Sequence, residues 1–132
     1  MNAYAGPALI SLLTTLLLFG CAWYVGSMRA RHRIAAPAVS GHPQFDIAFR
    51  IHANTVENTL LFLPTLWVCA LWFSVLWANV LGALWLAGRL WYAAAYARDP
   101  KRRGGGFGLS MAAYGLLGLT GGWGVAHALL AG

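Results

Sequence analysis

FRIHANTVENTLLFLPTLW, residues 49–67, decides the fold. From Leu60 onward it reads as a membrane span. Just before that it carries Arg50, His52, Asn54, Glu57 and Asn58, groups that a bilayer does not favour. At about 100° per residue, Arg50, Asn54 and Glu57 fall within a narrow arc, at i, i+4 and i+7, with Asn58 on its border and His52 on the far side. One helix therefore presents a guanidinium, an amide and a carboxylate over two turns, and a histidine behind them. Glu57 lies about 10 Å deeper than Arg50 by helical rise. It needs a cationic partner, a proton or a wet cavity.

The rest of the chain frames that helix. It has 132 residues, 60% hydrophobic and 9% charged, with mean hydropathy +0.63. Soluble domains carry about 25% charged residues, and a small soluble domain could not hide so much apolar surface. Four apolar segments, at about residues 4–28, 45–75, 77–97 and 107–130, are each long enough to cross a hydrocarbon core of about 30 Å as a helix. The expected fold is all-α, a single transmembrane domain over residues 1–132.

The net charge of +6 is explained by its placement rather than by nucleic acid, which is not an expected partner. Arg29, Arg31 and Arg33 follow the first segment, and Arg98, Lys101, Arg102 and Arg103 follow the third. The opposite ends contain no Lys or Arg. The positive-inside rule puts both basic loops in the cytoplasm and both termini outside. The first segment is unlike a cleaved signal peptide, because its arginines come after the apolar run. The loop at about residues 30–44 holds Pro37, Gly41 and Pro43 and should be irregular. RRGGGFG, residues 102–108, lacks a phosphate-loop pattern and reads as a flexible turn. Gly118 and Gly122 form a small-xxx-small pair that permits close helix contact. Cys21 and Cys69 lie in apolar runs and read as small buried hydrophobes rather than nucleophiles.

The third segment offers a partner for the polar arc. Arg89, Tyr92 and Tyr96 share one face at i, i+3 and i+7, with Trp85 on the same side. An antiparallel pairing of the second and third segments would bring the two polar faces together. Two readings follow: a buried structural ion pair between Glu57 and Arg89, or a cationic pocket open to the cytoplasm and rimmed by Arg29 and Arg103. The second would suit a small anionic ligand that also carries an amino group, with arginines on carboxylates and Glu57 on the ammonium.

These motifs resemble the MAPEG family, the membrane-associated proteins of eicosanoid and glutathione metabolism, and its microsomal glutathione transferase and leukotriene C synthase branch most of all. The resemblance is carried by Arg50, Asn54 and Glu57 in FRIHANTVENTLLFLPTLW, by Arg89, Tyr92 and Tyr96 in GRLWYAAAYARDPKRRGGGFGLS, and by the loop SGHPQF before them. It implies a four-helix protomer in a homotrimer, with glutathione as cosubstrate bound between subunits near the cytoplasmic face, and no metal. By motif position it assigns glutathione contacts to Arg50, Asn54, Glu57, Asn58, Arg89, Tyr92, Tyr96 and Arg103, and contacts from the adjacent subunit to Arg29 and His52. It assigns Arg103 the catalytic role of activating the glutathione sulfur. Where family members often carry a tyrosine the chain has Asn58, and where leukotriene-forming members carry a second arginine it has Ala30. The first departure bears on one glutathione contact; the second disfavours leukotriene synthesis and favours generic conjugation or glutathione-dependent peroxidase activity on a lipophilic electrophile or hydroperoxide drawn from membrane lipid. A non-enzymatic lipid-binding scaffold and a small proton-coupled multidrug transporter using Glu57 are the rival expectations. The short chain with no targeting extension suggests a bacterial inner membrane.

Overall fold

A computed structural model describes residues 2–132 and consists of four long helices and one short one. Helix α1 spans Ala5–His32, α2 Pro43–Trp72, α3 Val75–Arg98 and α4 Gly104–Ala131, with a 3-10 turn over Pro100–Arg102 before α4. All four exceed the roughly 30 Å needed to span a hydrocarbon core, taking about 1.5 Å per residue. By length and composition together, α1 and α2 qualify as spans, with mean hydropathies of 2.0 and 1.2.

Local chemistry sets the ends. Helix α1 runs past the expected boundary at Met28 through Arg29, Ala30 and Arg31, because arginine is a good helix former and suits the negative C-terminal dipole. It stops at Arg33, which adopts the left-handed conformation (φ 54°) while the Ile34 N–H reaches back to the Arg29 carbonyl at 3.0 Å. That 6→1 bond satisfies a carbonyl the helix leaves free. Helix α2 starts earlier than expected, since His42 caps it by accepting the Gln44 N–H at Nδ1 (3.1 Å) and Pro43 occupies the first helical position. It also ends earlier, at Trp72, because the Ser74 hydroxyl already caps α3 by accepting the Trp77 N–H. Only Phe73 and Ser74 connect the two, so α2 and α3 are antiparallel neighbours.

The glycine segment is a correction. Gly104–Gly106 do not form a flexible turn; they are the first turn of α4. A Cβ on Gly106 would collide with the Tyr92 backbone N, and one on Gly88 would stand 2.8 Å from the Ser110 backbone N. The glycines thus let the α3 and α4 backbones touch, which brings Arg103 and Gly104 beside the aromatic end of α3.

A few polar side chains are buried within the bundle while many large apolar ones face outward. Thr14, Arg89 and Ser110 are fully buried, whereas Leu119, Leu129 and Leu130 are more than two thirds exposed. A surface of this kind suits hydrocarbon rather than water. The apolar core lies toward the α2–α3 connection, where Phe62 stacks on Trp85 at 3.7 Å with planes 1° apart, among Leu66, Leu81 and Leu117.

Candidate functional site

One turn along α3 from Trp85, the core changes character. Arg89 is fully buried. One terminal nitrogen, Nη2, donates to Asn54 Oδ1 at 2.9 Å and to Thr55 Oγ1 at 2.7 Å. The guanidinium carbon stands 4.1 Å from the centre of the Tyr92 ring. Its Nε and Nη1 are buried without a hydrogen-bond partner. A guanidinium has five donors and cannot shed its proton, and a buried charge normally carries a counter-charge. Here neutral oxygens and a π face supply partial compensation, and no carboxylate reaches it: among the described residues the one ion pair is the exposed Arg102–Asp99 contact at 3.8 Å.

The first of the two readings, a Glu57–Arg89 ion pair, is therefore not realised. Helix α2 buries a stripe through Ile51, Thr55, Asn58, Phe62 and Leu66. On the helical wheel Glu57 lies about 160° from Thr55, and it faces away from α3 with Arg50. Both are exposed. The polar arc and the α3 motif meet only at the arc's inner edge, through Asn54. Rotation about the α2 axis, not depth, separates Glu57 from Arg89.

Around Arg89 the motif residues do gather. Tyr92 and Tyr96 meet edge to face, their centroids 5.6 Å apart. Arg103 lies over the Tyr96 ring at 5.2 Å and donates from Nη1 to the Pro100 carbonyl at 3.1 Å. Asn54, Tyr92, Arg103, Gly104 and Phe107 line a cleft of about 180 Å³. Asn54 and Tyr92, the two walls nearest Arg89, connect the buried cation to that cleft. The Asn58 amide turns inward, donating to the Asn54 carbonyl at 2.8 Å and its Oδ1 at 3.3 Å. It acts on the side chain that holds Arg89.

Four predicted residues lie outside this cluster. Arg50 and Glu57 project from the outer face of α2. His52 is half-buried, at the opposite edge of the buried stripe. Arg29 is occupied elsewhere: it donates to the Ala38 carbonyl at 2.7 Å and covers the Phe45 ring at 4.8 Å, fastening the first loop to the start of α2. Thr55, Gly104 and Phe107 were not anticipated. Thr55 had a legible signal, a hydroxyl placed on the apolar stripe one residue from Asn54. Among the described residues no three His, Cys, Asp or Glu side chains gather as metal ligands would.

Comparison with known proteins covers the same ground. A model of the MAPEG family matches residues 7–123. The chain is 39% identical to an uncharacterised protein of Synechocystis sp. over 103 residues, which cover 78% of this chain and 75% of that one. It is 35% identical to microsomal glutathione S-transferase 2 of Homo sapiens over 123 residues, covering 93% and 84%. It is 34% identical to leukotriene C4 synthase of Rattus norvegicus over 96 residues, covering 73% and 64%.

Proposed function

The chain belongs to the MAPEG family, and on that premise we propose that it is a membrane glutathione transferase, with glutathione peroxidase activity as a second outcome of the same chemistry. The observation that carries the reading is Arg89, a buried cation with unpartnered donors and no carboxylate, beside a cleft that Arg103 lines. An anionic ligand is the missing group. Glutathione offers two carboxylates, an ammonium and a thiol that works as an anion.

Each side chain then has a task. Arg89 and Arg103 supply positive potential at the cleft, and the tyrosines supply hydroxyl donors and apolar walls. A free thiol has a pKa near 8.5, so little of it is thiolate at neutral pH. Lowering that value by about two units takes about 2.7 kcal/mol, and a nearby cation shifts the thiol in that direction by favouring the anion. Arg103 has donors left after its bond to Pro100 and is exposed on the cleft wall, so it is the residue that stabilises the sulfur anion. The thiol proton leaves to solvent. The thiolate then forms a C–S bond to an electrophilic carbon, or attacks a hydroperoxide O–O bond to release an alcohol and leave a sulfenic acid that a second glutathione converts to disulfide and water. Positioning the tripeptide accounts for further rate.

Arg50 and Glu57 support the intersubunit arrangement of this proposal. An exposed carboxylate beside Leu60 and Leu61 is not stable against lipid. A neighbouring protomer in a homotrimer covers it, and Glu57 holds the glutathione ammonium there while Arg29 and His52 reach in from the other side. The basic ends of α1 and α3 support a cytoplasmic location for the site, with both termini outside.

The test is the ultraviolet absorbance of thiolate when glutathione is added to the purified protein. Wild type should show a thiolate band that Arg103→Ala lacks. An equal band in the variant removes the assigned role. Glutathione binding without turnover on any electrophile or peroxide would favour a non-enzymatic scaffold.

A further inference from the structure

On the far side of the same helices, α1 and α3 leave an open groove of about 620 Å³. Its lining is almost wholly apolar. It runs from Leu13 to Tyr24 on α1 and from Leu86 to Ala97 on α3, about 16.5 Å along each by helical rise. That is close to the depth of one leaflet, half of a hydrocarbon core of about 30 Å. Gly20, Ala93, Ala94 and Ala97 give it depth by presenting almost no side chain.

The occupant follows from the lining and the charge at one end. An apolar groove one leaflet deep, floored by glycine and alanines, fits an extended hydrocarbon chain. The groove also has a charged end. Arg31 continues its face on α1, seven residues beyond Tyr24, and Arg98 directly follows Ala97 on α3. Both are exposed, and neither takes part in an ion pair among the described residues. Tyr24, at the same end, is an amphipathic ring of the kind that sits at a headgroup boundary.

We propose that this groove holds one acyl chain of an anionic phospholipid, with the phosphate seated between Arg31 and Arg98. The site is separate from the glutathione cleft and does not rest on the catalytic reading. It touches that cleft from behind: Cys21, in the groove wall, packs with Ile51 against Tyr92.

Native mass spectrometry of the delipidated protein, titrated with phosphatidylglycerol or with phosphatidylcholine of the same acyl chains, tests this. Wild type should retain one phosphatidylglycerol per chain, at least tenfold more tightly than phosphatidylcholine. Glycerol phosphate, a headgroup without a chain, should not bind. Gly20→Leu should weaken retention of both lipids at least tenfold, since a Cβ at Gly20 meets no atom within 4 Å and the larger side chain enters the groove without disturbing the fold. Ala94→Leu, in the same groove, should do the same and guards against a folding defect in the first variant. Arg31→Gln with Arg98→Gln should keep the lipid and lose the preference for the anionic one. Equal retention of the two lipids by wild type, unchanged retention in both groove-filling variants, or loss of oligomers with lipid retention intact would each overturn the proposal.

Discussion

Trp85 and Arg89 stand one turn apart on α3, point into the same bundle and are both fully buried, yet their surroundings differ in kind. Trp85 stacks on Phe62 in a core complete within one chain. Its indole N–H lacks a partner, but a neutral donor left unpaired costs only about 1–3 kcal/mol. Arg89 has two nitrogens without partners and a full charge without an anion, a deficit that grows in low dielectric. The lesson is a division of labour within one pair of helices. The half toward the α2–α3 connection supplies stability. The half toward the basic segments is left electrostatically incomplete, as a binding site is before its ligand arrives.

Four substitutions test that division, taken from the largest effect down. Phe62→Ala should lower stability by about 3–5 kcal/mol, read as a fall in melting temperature, with little change in glutathione affinity. A matching loss of affinity would mean the halves are not separate. Arg103→Ala should lower kcat/KM for glutathione conjugation about 100-fold, the equivalent of about 2.7 kcal/mol, without moving the melting temperature by more than a degree or two. Glu57→Gln should cut the preference for glutathione over an analogue lacking its amino group by about tenfold, as loss of a charge-assisted bond does; an unaltered preference would place the ammonium elsewhere. Thr55→Val should weaken glutathione binding by about fivefold, near 1 kcal/mol for one hydrogen bond to Arg89, and the effect should shrink if Arg89 is removed first.

Much of this was legible in the sequence. The four helices came from apolar run length, and their boundaries moved only where capping groups such as His42 and Ser74 or the helix-forming arginines after Met28 decided them. Spacing put Arg89, Tyr92 and Tyr96 on one face of the third segment and Asn54 in the arc of the second, and these side chains do gather, with Arg103 over Tyr96. The face of α2 that α3 covers was not legible from the polar arc alone. Periodicity shows that Arg50, Asn54 and Glu57 share a side, but only the apolar stripe through Ile51, Thr55 and Phe62 says which side is buried, and that stripe turns Glu57 away from Arg89. The role of Gly106 was hidden for a similar reason. A glycine run is compatible with a loop or with two helix backbones in contact, and the choice depends on α3.

The central claim is that Arg89 is a cation awaiting an anion, not a structural prop. Calorimetric titration with glutathione of wild type and Arg89→Met, with thermal melting of each without ligand, tests it most directly. Replacing a buried charge with an apolar side chain of similar length should leave the melting temperature unchanged or higher and weaken glutathione binding at least tenfold. A variant that melts well below wild type and still binds glutathione normally would contradict the account.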